Sequence, residues 1–215
     1  MPKYWFIAFH AIFLIVLANS RHHGGRRGAH YEEAFDCAQI VADYLSSSDK
    51  LKSYEVQEYS ESLDGNTLDL KKGFLTGFTD IEAVQADLYD TGNAYELSMV
   101  LEVPELELSS YNFFECYDGS YDWLHVNVAA KNARFRLGLR YNEFGLLEVF
   151  DSVCEGFDKV KVYIDEEEVH PYEDVVSELS RNIFESVLSE TVPEAFALVG
   201  TEGELGDMLI DDYYK

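Results

Sequence analysis

Positive charge is scarce in this sequence, and part of it lies near the amino terminus. The 215 residues include 16 Lys and Arg against 41 Asp and Glu, for a formal net charge of −25. Residues 31–215 hold all 41 acidic residues but only 12 Lys and Arg, for a net charge of −29. A nucleic-acid backbone demands positive surface, so this composition argues against nucleic-acid binding and against contact with anionic membranes. It favours solubility and is compatible with a basic protein partner.

Long apolar runs are lacking beyond the first twenty residues. The run "YWFIAFHAIFLIVLA" is about fifteen residues long, which matches a signal-peptide core rather than the ~20 residues of a membrane span. Lys3 precedes it and the small residues of "ANS" follow it. We therefore predict a signal peptide over 1–20, cleaved after Ser20, with an uncleaved anchor as the alternative. The mature chain would then be secreted, extracellular and without an integral membrane segment.

Cysteine is also scarce: the sequence has Cys37, Cys116 and Cys154. Two of three cysteines are expected to pair in an oxidising compartment. Cys116 and Cys154 lie in strand-like segments and Cys37 on a helical face, so we predict a Cys116–Cys154 disulfide with Cys37 buried. The sequence leaves the other two pairings open.

Motifs that carry catalysis are missing. No G-x-S-x-G, G-x-G-x-x-G or Walker sequence occurs, and no loop has the pattern of a calcium-binding EF-hand. His125 and His170 have no organised partners, and His125 is expected at the surface of a strand. We therefore predict a protein that is not an enzyme and holds no cofactor or metal. A hydrolase of unknown type is the weakest alternative.

The order of segments predicts one domain over 31–200. It is preceded by a basic, glycine-rich arm, "RHHGGRRGAH" (21–30), and followed by an acidic tail over 201–215. Apolar residues at helical spacing predict a helix over 31–46. Beyond it the period changes to two, which is typical of strands.

The stretch "KKGFLTGFTDI" (71–81) belongs to the first of these strands. We assign its apolar face to even positions, continuing from Leu68 and Leu70 through Phe74 and Phe78. Gly73 and Gly77 predict bends or bulges.

Two longer segments alternate in the same way, and each changes phase once. Apolar residues occupy odd positions over 95–103 and even positions after Pro104. The second segment changes phase between Val128 and Ala133. Such slips are typical of bulges and predict strongly curved antiparallel strands. The opposite face is polar, with Glu96, Ser98, Glu102, Arg134, Arg136 and Arg140.

A long amphipathic helix predicted over 172–199 covers the dry face. Pro171 suits its first turn and Pro193 is expected to kink it. The fold class is therefore α+β: a long C-terminal helix wrapped by a strongly curved antiparallel sheet, with an N-terminal helix.

Three features carry a family resemblance: the segment "LDGNTLDLKKGFLTGFTDIEAVQADL" (63–88), the strand "LEVPELELSSY" (101–111) and the long terminal helix. They resemble secreted arthropod lipid-carrier domains, the mite group 7 allergens and the takeout / juvenile-hormone-binding proteins. These are single-domain relatives of the bactericidal permeability-increasing proteins. The chain lacks a cysteine pair near its mature N-terminus, which favours the allergen-like branch. The resemblance implies a TULIP-like half-barrel with a hydrophobic ligand between sheet and helix.

The first functional hypothesis is accordingly a carrier or sensor of a hydrophobic small molecule or lipid. The alternative is an acidic interaction or innate-immune protein with a packed interior, and internal volume distinguishes the two. The predicted ligand-binding residues are Leu97, Met99, Leu101, Phe135, Leu137 and Leu139 on the sheet, and Ile183, Phe184, Val187, Leu188 and Phe196 on the helix.

Overall fold

The computed structural model describes residues 27–91, 94–142, 147–169 and 174–201. The predicted signal peptide, most of the arm and nearly all of the tail lie outside this part of the chain. Two helices flank nine strands. The elements are α1 (Arg27–Ser47), β1 (Tyr54–Val56), β2 (Tyr59–Leu63), β3 (Asn66–Thr76), a 3₁₀ turn (Phe78–Asp80), β4 (Glu82–Asp90), β5 (Ala94–Glu115), β6 (Tyr121–Asn142), β7 (Leu147–Gly156), β8 (Lys159–Ile164), β9 (Glu167–Val169) and α2 (Val175–Thr201).

All nine strands belong to one antiparallel sheet. Its main path runs β1-β3-β5-β6-β8-β9, with β2 on β3, β4 on β5 and β7 on β6. In the described strands the path ends at β1 and β9 without joining them, so the sheet is open. The large antiparallel sheet with a helix at each end of the chain agrees with the predicted α+β class. The strong curvature stays a prediction.

β5 and β6 form the centre of the sheet, and each is 22 residues long. Their pairing runs without a register shift from Ala94↔Asn142 to Glu115↔Tyr121. Both predicted phase changes are present. In β5 the buried positions are odd up to Val103 and even from Leu106. In β6 they are even up to Ala130 and odd from Ala133.

The two phase changes lie opposite each other, because Val103 pairs with Ala133 and Glu105 with Lys131. Asn132, between these pairs, has φ 52°, a left-handed conformation that re-aims the following side chains. The ladder between β5 and β6 stays in register because both strands change face together. The predicted bulges occur in the neighbouring pairs instead, since the register of β6 with β7 shifts between Arg134 and Phe135, directly beside the phase change.

Ion pairs line the polar face of the sheet where the first half of β5 pairs with the second half of β6. Arg134 Nε lies 2.8 Å from Glu102 Oε2, and Arg140 Nε lies 2.8 Å from Glu96 Oε1, each pair directly opposite in register. Arg136 bridges to Asp151 of β7 at 2.7 Å. These exposed pairs add little to stability and mark the wet side of the sheet.

A bulge in β3 overturns part of the face assignment. Leu70 pairs with Asn112 and Lys72 with Tyr111, so Lys71 is an extra residue. The buried set therefore changes from even to odd positions, and Leu75 is buried while Phe74 is half-buried. The prediction that Phe74 continues the dry face of Leu68 and Leu70 is wrong for this reason.

Both helices depart from their predicted bounds at the start. α1 begins at Arg27, so it includes residues 27–30 of the predicted arm. α2 begins at Val175, because Asp174 caps it: the Ser177 amide donates to Asp174 Oδ1 at 2.8 Å. α2 continues through Pro193 to Thr201. Among the described residues, neither helix combines the length and apolarity that crossing a membrane requires.

Candidate ligand-binding layer between the C-terminal helix and the sheet

One apolar layer lies between α2 and the sheet. α1 packs on β4 and the 3₁₀ turn, while α2 packs on β7, β2, β3, β6 and β8. All eleven predicted ligand-binding residues belong to the single buried cluster of the core, which also contains the buried residues of α1. The sheet residues come from the first halves of the β5–β6 pairing, where Leu97 faces Leu139, Met99 faces Leu137 and Leu101 faces Phe135.

The layer is closed in this structure. The eleven side chains are between 0% and 6% accessible, which leaves little room beside them for a water molecule. Aromatic rings fill the space: the Phe196 ring lies 5.7 Å from Phe78 and 5.4 Å from Phe135, and Phe184 lies 5.8 Å from Phe157, all in edge-to-face contact.

Phe78 and Phe157 are members of this layer that the sequence-based list omits. Phe78 lies in the 3₁₀ turn, whose start at Gly77 has φ 113°. Phe157 follows β7 in the short connection to β8. The sequence places Phe78 on the even-numbered apolar face, and it is buried, but it lies in a turn rather than in a strand. Phe157 follows no strand alternation, and only the neighbouring Gly156 signals that the chain turns there.

Polar contacts between α2 and the sheet are few among the described residues. Tyr59 Oη of β2 lies 3.0 Å from Thr191 Oγ1 and donates to Glu190 Oε2 at 3.2 Å. Ser152 Oγ of β7 donates to the Pro193 carbonyl at 3.3 Å. Apolar contact therefore supplies most of the adhesion of α2, and it is non-directional.

We expect Tyr59→Phe to lower the free energy of unfolding by about 1 kcal/mol at neutral pH, because the variant loses the hydroxyl contacts to α2. Burial raises the pKa of Tyr59, with Glu190 adding to the rise and the Thr191 hydrogen bond opposing it. Stability from the neutral hydroxyl is thus present below the unfolded-state pKa of about 10 and is lost as pH rises through the folded-state pKa. Urea unfolding between pH 7 and 11 measures this. A difference in the free energy of unfolding between wild type and variant that grows as pH rises would contradict this expectation.

A cleft of about 430 Å³ lies away from this layer, at the contact between α1 and β4. Its walls are mainly polar, and Ser46 Oγ and Gln39 Oε1 accept hydrogen bonds from the Ile81 and Ala83 amides at 3.0 and 3.3 Å. The lining residues are Gln39, Asp43, Ser46, Ser47, Thr79, Asp80, Ile81 and Glu82. Its polarity does not suit an apolar ligand.

The predicted Cys116–Cys154 disulfide is wrong for this structure, in which no disulfide joins any of the three cysteines. Cys116 follows the end of β5, where Glu115 pairs with Tyr121, whereas Cys154 pairs with Phe135. Tyr121 and Phe135 are fourteen positions apart on β6, roughly 46 Å along the strand at the usual rise of a β-strand. A disulfide requires Cα atoms within about 7 Å. Cys37 is buried, as predicted.

Peptide mapping under non-reducing conditions tests whether Cys116 and Cys154 are disulfide-bonded. We expect no peptide pair linked through Cys116 and Cys154 within one chain, and thiol labelling of each cysteine after denaturation without reductant. A linked Cys116–Cys154 peptide in the monomer would contradict the arrangement of β5, β6 and β7.

In the described chain no three His, Cys, Asp or Glu side chains come together as metal ligands. His125 is exposed, as predicted, and its Nε2 lies 3.3 Å from Ser109 Oγ on the wet face of the sheet.

The sequence matches no protein-family model and no curated protein. The structure is similar to that of Takeout 1 from Epiphyas postvittana, at 12% identity and TM-score 0.41, over 76% of this chain and 87% of that one. It is also similar to lipopolysaccharide binding protein, at 10% identity and TM-score 0.48. That match covers 83% of this chain, which spans only 39% of the other.

Proposed function

We propose that this protein binds a hydrophobic small molecule or lipid between α2 and the part of the sheet where the first half of β5 pairs with the second half of β6. The observation that carries the proposal is the apolar layer itself. The eleven predicted contact residues come from three elements, β5, β6 and α2, and none of them is charged.

The ligand would enter by partial displacement of α2. The sheet side of the layer is held by continuous backbone ladders, so it is rigid. α2 has no such ladder to the sheet, and its described polar contacts are the Tyr59 and Ser152 hydrogen bonds. An apolar ligand can replace apolar side-chain contacts with little loss, because the hydrophobic effect depends on area rather than direction.

The energetics are adequate for a lipid-sized ligand. Burying one methylene group contributes about 0.8 kcal/mol, so an alkyl chain of about twelve methylenes supplies about 10 kcal/mol before costs. Separating α2 from the sheet offsets part of this binding free energy, so the affinity depends on how far the helix moves. Met99, unbranched and polarizable, would adapt to the shape of the ligand.

Secretion and a role as carrier or sensor are part of the proposal. They are supported by the apolar run within residues 1–20 and by the acidic composition of the rest. The domain would span 31–200, with the arm and the tail outside the binding layer. Amino-terminal sequencing of protein from a eukaryotic secretory host tests the cleavage after Ser20.

A second candidate function is an interaction protein whose interior never opens. The closed layer favours it, because side chains with 0–6% accessibility leave no preformed tunnel. The two functions differ in one measurable property, which is uptake of an apolar molecule by the folded protein.

Native mass spectrometry of the secreted protein, followed by organic extraction, measures this uptake. Ligand binding predicts a co-purifying apolar molecule that is lost on extraction and restored on addition. Leu188→Gln places an amide in the layer and should weaken rebinding, whereas Val84→Gln, at a 41% exposed position on β4, is the control. A bare protein that also fails to take up a fluorescent fatty acid would overturn the proposal and support the packed interaction protein.

A further inference from the structure

The wet face of the β5–β6 hairpin ends in a row of exposed aromatic rings. We name Tyr111, Phe113, Tyr121 and Trp123 the aromatic stripe. Tyr111 is 49%, Tyr121 69% and Trp123 45% exposed. The stripe arises from the phase change at Pro104, beyond which odd positions of β5 and β6 point away from the core. Four large rings on one outer surface are not required for packing, so they call for another explanation.

The rings hold one another in a fixed arrangement. Tyr111 and Trp123 stack with centroids 5.1 Å apart and planes at 11°. Phe113 meets the edge of Trp123 at 5.1 Å and lies 5.6 Å from Tyr121. Because each ring is restrained by a neighbour and by the strand ladder, the surface is preorganised and a partner would not have to order it.

Unpaired negative charge surrounds the stripe. Glu115 ends β5 on the same face as the stripe, where it pairs with Tyr121, and Asp118 lies in the connection between the strands. Asp118 accepts hydrogen bonds from Ser120, which lowers its pKa, so this carboxylate stays ionised at neutral pH. Asp165 accepts a hydrogen bond at 3.0 Å from the amide of His125, the residue that pairs with Tyr111. Within the described chain, no Lys or Arg forms an ion pair with these three carboxylates.

Aromatic faces with carboxylates around them have a defined chemical preference. The face of an aromatic ring is electron-rich and attracts a cation, with Trp the strongest and Arg the most frequent partner. Carboxylates add bidentate hydrogen bonds to a guanidinium. The same carboxylates repel anionic lipid headgroups and phosphate backbones. The one lysine opposite the stripe in the ladder, Lys72, has its ammonium 5.1 Å from the Phe74 ring.

We propose that the aromatic stripe and its carboxylates form a docking surface for a cationic, arginine-containing polypeptide segment. Arginine side chains lie on the exposed faces of Tyr111 and Trp123, and Glu115 and Asp118 bind the guanidinium edges. The surface is on the opposite side of the sheet from the apolar layer, so a partner docks without opening α2.

Trp123 reports binding directly, because it is the only tryptophan beyond residue 20. The probe is a nine-arginine peptide titrated into the purified protein, with a nine-glutamine peptide as the neutral control. We expect saturable quenching of Trp123 by the arginine peptide that weakens as salt rises, and none by the glutamine peptide.

Tyr111→Ala should weaken binding by about five- to tenfold, because one cation–π contact is lost. Tyr89→Ala is the matched control, since Tyr89 is 54% exposed on β4, outside the stripe. Glu115→Gln with Asp118→Asn should weaken binding and reduce its salt dependence, while Glu82→Gln should not. Circular dichroism verifies that each variant folds.

Three results would overturn the proposal. One is no saturable quenching by the arginine peptide. Another is equal binding by the Tyr111→Ala and Tyr89→Ala variants, which would indicate non-specific attraction to an acidic protein. The third is binding of neutral phosphatidylcholine vesicles with a blue shift of Trp123 and no peptide binding, which would assign the stripe to a lipid surface.

Discussion

Phe196→Ala is expected to lower the free energy of unfolding by about 3–5 kcal/mol. Phe196 is 1% exposed and lies edge-to-face on both Phe78 and Phe135, so it joins α2 to β6 and to the 3₁₀ turn at once. Removal of the Phe196 ring leaves a cavity between the rings of Phe78 and Phe135. Neither ring can move into the cavity without losing its other contacts. Urea unfolding followed by circular dichroism measures the loss.

Phe150→Ala is the matched control. Phe150 is 42% exposed on β7, and its ring lies 5.1 Å from the Arg140 guanidinium. Its removal should cost about 1 kcal/mol or less, since an exposed cation–π contact is lost and no cavity forms. Equal losses for the two variants would mean that α2 does not pack on the sheet as described.

Gly77→Ala is expected to lower the free energy of unfolding by about 3 kcal/mol or more. Two independent reasons add: the φ of Gly77 is 113°, which alone disfavours a side chain by about 1–2 kcal/mol, and a Cβ there would overlap the Glu105 carbonyl oxygen of β5. Relief would require the 3₁₀ turn to move off β5, which would withdraw Phe78 from Phe196. Thermal and urea unfolding both measure this.

Gly119→Ala separates these two reasons. Gly119 has φ 82°, but a Cβ added there meets nothing within 4 Å. It should therefore show the conformational cost alone, about 1–2 kcal/mol. A Gly77 variant no less stable than the Gly119 variant would refute the close approach of the turn to β5.

The sequence predicts the strand faces well where burial is one-sided. Odd positions up to Val103 and even positions from Leu106 are buried as the alternation indicates, because one face of this antiparallel sheet meets the core and the other meets water. The eleven predicted ligand-binding residues are buried in one cluster for the same reason. Whether they bind a ligand stays a prediction.

The failures have local physical causes. At Leu70–Lys72 an inserted residue reverses the face of β3, and nothing in the apolar pattern of "LDLKKGFL" fixes which residue is extra. The predicted Cys116–Cys154 pairing fails because a strand-like sequence around each cysteine does not show where along β6, a 22-residue strand, that cysteine lies. α2 begins at Val175 rather than at the predicted residue 172, because the hydrogen bond from the Ser177 amide to Asp174 caps the helix there. Pro171, the predicted start signal, lies outside the described residues.

The aromatic stripe illustrates a different limit. Its residues are readable in the sequence, yet aromatic content alone is equally typical of a core. The rings are placed on the wet face beside Glu115 only by the register Phe113↔Trp123 together with the change of buried face at Pro104.

Photo-crosslinking with a diazirine-bearing fatty acid tests the central claim most directly. The folded protein is irradiated with the probe, digested, and the labelled peptides are identified by mass spectrometry, with an excess of unmodified fatty acid as competitor. Binding between α2 and the sheet predicts competed label on the α2 segment 179–196 and on 97–103 or 133–139 of the sheet. Label confined to the aromatic stripe, or none above that of the competed sample, would contradict a ligand-binding layer beneath α2.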